Sequence, residues 1–469
     1  MINLIKNELI KVFHQKSIYI IGIIIVVTGL LGGLLSLLLN NFNLFNEDFE
    51  ISTLESMLDT YDVNNPNEMS YYIDLKTEID VLKDRKQFSE DYKKDYVNSF
   101  ATDSIKCEIE SKANNDEEKY KECSEEHKRI IDEIKNNDWK YFVKKEIEED
   151  TKKIEAANDN SSIIDNAIIE ELKLNIEINR YLLDNNLSPD NSAAMEVVTN
   201  YKNYRFLYMS SNHDEKSYLN KTDLENYLTV KENYFKYEYM YKNKIYYSEY
   251  GTLNNVANLS NVAFFVILLI ALVSGTIVSK EFSKGTIKQL LVRPHSRTKI
   301  LFSKLFASII IFLIALAFYD FVNIIYEMIF GNAKEILMPA VEYNYSLGKA
   351  VESNIFVVLF ANTLKVMPCY LIILSAAFFG STVTKNDSLG ILCGIGLYFG
   401  GNILNMFLSM KETILTKISP SMCWNLSPYF SFGKGLSNVI LPLSIDIITV
   451  AVLLIVSTVV FKKVNIKNQ

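Results

Sequence analysis

A chain of 469 residues with 56 Asp+Glu against 48 Lys+Arg, a formal charge of −8 and 49% apolar residues is not a basic nucleic-acid binder. The charge is unevenly divided: residues 41–257 hold 46 acidic and 28 basic side chains, net −18, and the rest holds 10 acidic and 20 basic, net +10, which sum to −8. The five cysteines form no Cys-x-x-Cys and the four histidines no His-x-x-x-His, so a zinc site has no support.

Such a division predicts an acidic, water-exposed domain inserted into a basic, apolar membrane protein. Residues 1–16 place Ile2, Ile5, Leu9, Val12 and Phe13 on a helical stripe against Lys6, Lys11 and Lys16, the pattern of an interfacial elbow helix. From Ile18 to Leu39 there is no charged residue for 22 positions, enough at about 1.5 Å per residue to cross a core of roughly 30 Å. Residues 17–40 therefore read as the first span, retained as an anchor because no Ala-x-Ala site follows it.

Residues 41–257 are rich in Glu, Lys, Asn and Tyr with few helix-breaking glycines or prolines, which predicts a mostly helical domain. The helical composition covers Met69–Phe100, Asp116–Asn136, Trp139–Ala157, Ile163–Asn185 and Lys221–Tyr247, with stripes such as Ile130, Ile131, Ile134 and Ile163, Ile164, Ile168, Ile169, Leu172. A flexible charged stalk is the alternative, against which the many tyrosines and isoleucines argue for a core.

Residues 258–469 carry five further apolar runs: Val262–Val278, Ile300–Ile325, a fourth ending near Thr384, Leu389–Leu408 and Val439–Phe461. Lys365 and Pro368 interrupt Ile355–Thr384, which reads as an outer interfacial or re-entrant piece followed by the fourth span. Gly390, Gly394, Gly396, Gly400 and Gly401 in the fifth allow close helix packing. The fold class is thus an all-α membrane protein with six transmembrane helices and a mostly helical extracellular domain. Asp320, Glu327 and Asp446 fall beside apolar runs; their depth places them at a solvated outer interface, toward which Lys365 snorkels.

Between the second and third spans, residues 279–299 carry Lys280, Lys284, Lys288, Arg293, Arg297 and Lys299 against Glu281 alone. Basic short loops stay in the cytoplasm, so both termini and this loop face inward and residues 41–257 are extracellular. Cys107 and Cys123 then lie in an oxidising setting, flanking the turn-like Lys112–Asp116, where a hairpin would pair them in a disulfide. Two unpaired thiols on separate helices is the alternative.

Phe282, Ile287, Leu290 and Leu291 fall on one helical face of this loop and Pro294 stops the pattern. Glu281, three residues, Gly285-Thr286, then Leu290-Leu291, Pro294 and Ser296-Arg297 resemble the first long cytoplasmic loop of ABC-2 type transporter permeases. The detailed resemblance covers residues 278–304, and the hydropathy layout extends it to the chain outside the insert. It implies a coupling helix, 281–293, docking on ABC ATPase subunits through Glu281, Phe282, Gly285, Thr286, Ile287, Leu290, Leu291 and Arg293. It also implies a second permease chain, and export of a peptide antibiotic or an amphipathic, lipid-like substrate from a bacterial cell membrane. No Gly-x-x-x-x-Gly-Lys-[Ser/Thr], His-Glu-x-x-His or Gly-x-Ser-x-Gly occurs, so the chain carries no cofactor or catalytic set of its own; ATP and Mg belong to the partner. A membrane sensor with a ligand-binding outer domain is the alternative function.

Overall fold

The computed structural model describes residues 1–41, 47–61, 68–159, 166–218, 220–287, 289, 295–408, 410, 416, 418–430 and 435–463. The chain divides into two compact units, residues 37–248 and the remainder, against the boundaries of 41 and 257 read from composition.

The remainder opens with α1 (Ile2–Phe13) and α2 (Lys16–Asn41), which meet at a 65° bend. Helix α1 buries Glu8 and Val12 and packs Ile5 and Leu9 on the core, so its inner face is the apolar stripe with one carboxylate set into it.

The unit of residues 37–248 comprises α3 (Glu47–Leu58), α4 (Met69–Arg85), α5 (Asp91–Tyr96), α6 (Thr102–Ala113), α7 (Glu117–Asn136), α8 (Trp139–Asp159), α9 (Asn166–Asp184), α10 (Ser192–Ser210) and α11 (Lys221–Asn243). It has a real core rather than the form of a stalk: Val97, Ala101 and Ile134 are fully buried with Phe142 and Ile105. The tyrosines stack in pairs, Tyr181 and Tyr201 on Tyr241 and Tyr208 on Tyr234, which explains their abundance as packing area carrying a polar tip. The stretch Met69–Phe100 is not one helix but α4, α5 and a π-helical turn, Val97–Ala101. Ile163 and Ile164 lie outside the described residues. At the foreseen turn Asn115 adopts φ 55°, Asp116 caps α7 by accepting from the Lys119 amide, and α6 and α7 run back as a hairpin.

The remainder continues through α12 (Thr252–Ala257), α13 (Phe264–Thr276), α14 (Ser279–Ser283), α15 (Arg297–Phe330), α16 (Ile355–Thr384), α17 (Asp387–Leu408), the short α18 (Pro420–Cys423) and α19 (Ser427–Phe430), and α20 (Gly435–Lys462). Among the described residues, four helices are long and apolar enough to cross a membrane, or five when the bent α1–α2 pair is one span. The expected count of six is not confirmed: α13, the core of the run Val262–Val278, has 13 helical residues, about 20 Å of rise against roughly 30 Å of hydrocarbon.

Three features depart from the sequence reading. Helix α16 is one continuous 30-residue helix with Pro368 inside it, not two pieces. The segment following α18 accommodates the proline: Cys369 N donates to Trp424 O and Leu426 N donates to Lys365 O, so backbone groups beside it find partners in a neighbouring segment. Between α15 and α16 the chain forms a two-stranded antiparallel hairpin, β1 (Ala340–Asn344) with β2 (Lys349–Ser353), turning through Gly348 at φ 64°. Asp446 is 2% exposed, and neither of its carboxyl oxygens has a partner, so it is not the solvated interfacial group its position implied.

Candidate coupling site at the root of the basic loop

The loop begins where α13 runs out. Gly275 lies against Gly390 of α17 so closely that a Cβ built on Gly390 would sit 2.1 Å from the Gly275 carbonyl oxygen. One turn later Ser279 N donates to Ser381 Oγ at 3.0 Å and Ser279 Oγ donates to Asp387. The loop's root is thus pinned to the turn between α16 and α17. Gly394 also meets neighbouring helices, while nothing approaches Gly396 or Gly400. Gly390→Ala is therefore expected to lower the thermal midpoint of the purified chain, by about 1–3 kcal/mol of overpacking or more because backbone cannot give way. Gly396→Ala, in open space, should leave it unchanged or raise it slightly; equal midpoints for the two variants would contradict this packing.

Helix α14 ends at Ser283 and Gly285 turns the chain at φ 68°, a conformation glycine adopts without steric cost. A single amphipathic helix across 281–293 is therefore interrupted: the face containing Phe282 and that containing Ile287 belong to different segments.

Four charges converge beneath this break. Lys304, two turns into α15 and fully buried, donates to Glu8 Oε2 at 2.7 Å and to Glu281 Oε1 at 3.0 Å. Lys11 donates to the same two carboxylates, 3.0 Å to Glu8 Oε1 and 2.7 Å to Glu281 Oε1. Thr286 closes the ring by donating to Glu281 Oε2. Burial alone would raise the Glu281 pKa, but the Lys304 charge and the bonds from Lys11, Thr286 and Lys304 outweigh it and hold the carboxyl at about 2. Two ammonium groups thus match two carboxylates, and the node ties α1, α14, Thr286 and α15 together without net charge.

Of the residues expected to contact a partner, Glu281 points into this node at 7% exposure. Phe282 packs partly on the core with the Lys385 ammonium 5.2 Å above its ring. Ile287 is buried in the same core; Gly285, Ser283 and Gln289 are exposed. Leu290, Leu291 and Arg293 lie outside the described residues. Sequence reasoning passed over Glu8 and Lys304, although each is a lone charge in an apolar stripe, flanked by Ile5, Leu9 and Val12 or by Ile300, Leu301 and Leu305. Elsewhere in this unit Glu327 accepts from Thr252 and Asn255. Among the described residues no cluster of His, Cys, Asp and Glu is placed to hold a metal ion.

The family model of the ABC-2 family transporter protein matches residues 2–465. The chain belongs to that family. A relative of this ABC-2 family chain is the uncharacterized protein YhcI of Bacillus subtilis (strain 168), 27% identical over 162 residues, 34% of this chain and 52% of that protein. The chain thus spans about half the length of the curated relative it matches. No solved structure matches this ABC-2 family chain. With its family and its apolar helices, it is a multi-pass, all-α membrane protein.

Proposed function

We propose that the chain is the permease subunit of an ABC exporter, moved by ATPase subunits that dock on the loop after α14 and bind ATP and Mg themselves. The observation that carries this reading is the buried node: a push on the loop at Gly285–Gln289 reaches α1 and α15 through Glu281, because its two lysine partners come from those helices. A rigid ionic junction under a glycine turn transmits displacement where a solvated loop would absorb it. Phe282, Gly285, Thr286, Ile287, Leu290, Leu291 and Arg293 remain the proposed contact region, with Glu281 as its anchor. A second permease chain completes the translocation path, both termini lie in the cytoplasm, and the acidic unit lies outside. The basic excess of residues 279–299 supports that orientation. The substrate class, a peptide antibiotic or a lipid-like amphiphile, rests on family likeness alone.

The test uses the exposed positions, which the core does not need. Ser283→Trp and Gln289→Trp are expected to leave expression and thermal midpoint unchanged while the co-purifying ATPase is lost or its stimulated turnover falls at least tenfold. A chain that copurifies with no P-loop subunit, or retains full transport with both substitutions, would favour the sensor reading and reject docking here.

A further inference from the structure

Next to the node is a polar cleft of about 580 Å³, bordered by His14 and Gln15 at the end of α1 and by Lys280, Lys284, Thr286 and Gln289 of the loop. Glu8 and Glu281 also border it, but Lys304 and Lys11 already match them. Two lysines remain. Lys280 Nζ donates to a neutral acceptor, Gln15 Oε1, at 2.6 Å, and burial lowers its pKa; Asp387, the carboxylate near it, accepts from Ser279. Lys284 is exposed, and Lys385, beside the loop, is occupied by the Phe282 ring. Lys280 and Lys284 against Asp387 leave one positive charge unmatched at the cleft. His14 Nδ1 donates to Ile10 O at 2.7 Å, which leaves Nε2 for another partner.

At the same elbow lies a second cavity of opposite character. A groove of about 470 Å³ is bordered by Phe13, Ile18, Gly22 and Val26 from the bend onward and by Ile311 and Phe318 of α15. It opens outward: Ile23 and Tyr19 on its rim are 62% and 59% exposed. His14 and Gln15 border the cleft and Phe13 and Ile18 the groove, so the two are joined by a few residues at the 65° bend. A cation surplus on one side of a bend and an open hydrocarbon groove on the other fit one molecule with an anionic head and an apolar tail. A free anion would leave the groove empty; a second permease helix would fill the groove and leave the surplus charge unmatched.

We propose that the α1–α2 elbow is a binding site for an anionic phospholipid, its phosphate held by Lys280 and Lys284 and an acyl chain lying in the groove between α2 and α15. The cleft borders the proposed ATPase contact region through Thr286 and Gln289, but lipid binding needs no second protein and is read on the chain alone. A lipid seated there fills space against α1 and α15, the two helices that the node couples to the loop.

The test is native mass spectrometry of the full-length chain in a neutral detergent, titrated with phosphatidylglycerol, phosphatidylcholine and inorganic phosphate. Phosphatidylglycerol is expected to bind at least tenfold more tightly than phosphatidylcholine, and inorganic phosphate not to compete at equal concentration. Lys280→Gln with Lys284→Gln should weaken phosphatidylglycerol on the order of thirtyfold, and the exposed Lys284→Gln alone, which puts no core contact at risk, by about fivefold. Gly22→Phe, whose side chain would grow toward Phe318 Cε1, 4.0 Å from the glycine's built Cβ, should displace the lipid without touching the lysines. Equal affinity for the two lipids, undiminished phosphatidylglycerol binding in the lysine variants, or competition by inorganic phosphate would overturn the proposal. So would a Gly22→Phe variant that changes oligomeric state while lipid occupancy stays the same, which would assign the groove to a second copy of the chain.

Discussion

Lys304→Met is expected to destabilise the membrane unit by about 3–5 kcal/mol, the range for removing one partner of a buried ion pair. Lys304 is fully buried and is shared by Glu8 and Glu281. Without it two largely buried carboxylates face each other, with only the half-exposed Lys11 between them. The readout is the thermal midpoint of the detergent-purified chain, together with ATPase stimulation when the partner is present. Glu281→Lys should fail in the same way, since it gathers three ammonium groups around Glu8; a pure docking residue would tolerate that reversal. The triple variant Glu8→Gln, Lys304→Met, Glu281→Gln removes all three charges together and should recover much of the loss, because neutral groups of similar volume often replace a buried ionic cluster at little cost. Lys304→Met with an unchanged midpoint would remove the node from the account of coupling.

The pH dependence has a definite sign. Glu281 is depressed from 4.5 to about 2 in the folded chain, so its contribution is complete above 4.5 and is lost as the pH falls toward 2. Between pH 5 and 8 Glu281 should contribute a flat stability profile; a transition within that range that Glu281→Gln abolishes would contradict this ionisation state.

The second large effect concerns Cys107 and Cys123, 16 positions apart, which the structure pairs with Cα atoms 5.8 Å apart, within the usual reach of a disulfide. We propose that they are bridged in the cell. Closing a loop of about 15 residues restricts the unfolded chain by roughly 3 kcal/mol, within a usual range of 2–5. Reduction, or Cys107→Ala with Cys123→Ala, should lower the midpoint of the helical unit of residues 37–248 while leaving the membrane unit's transition in place. Peptide mass spectrometry without reductant reads the bridge directly. Alkylatable thiols at both positions in protein taken from cells would refute the bridge, and with it one support for the outward placement of this unit.

What the sequence by itself determined is what repeats along the chain. The stripe Ile5, Leu9, Val12 defines the buried face of α1, the uncharged run from Ile18 to Leu39 defines α2, and the turn at Asn114–Asp116 defines the α6–α7 hairpin, because each depends on neighbours within a few residues. The basic loop and the family likeness were legible for the same reason. Tertiary structure alone decided which faces meet. Glu281 looks like a surface charge until Glu8, 273 positions earlier, and Lys304 close around it. Five glycines along α17 look alike until Gly275 and the neighbouring helices distinguish Gly390 and Gly394 from Gly396 and Gly400. Pro368 reads as a break until Trp424 and Leu426 supply partners beside it. In each case the energy comes from a group far away in sequence: a buried charge, a close backbone approach or a freed amide is tolerated only if a distant segment arrives to match it, and local pattern carries no record of that arrival.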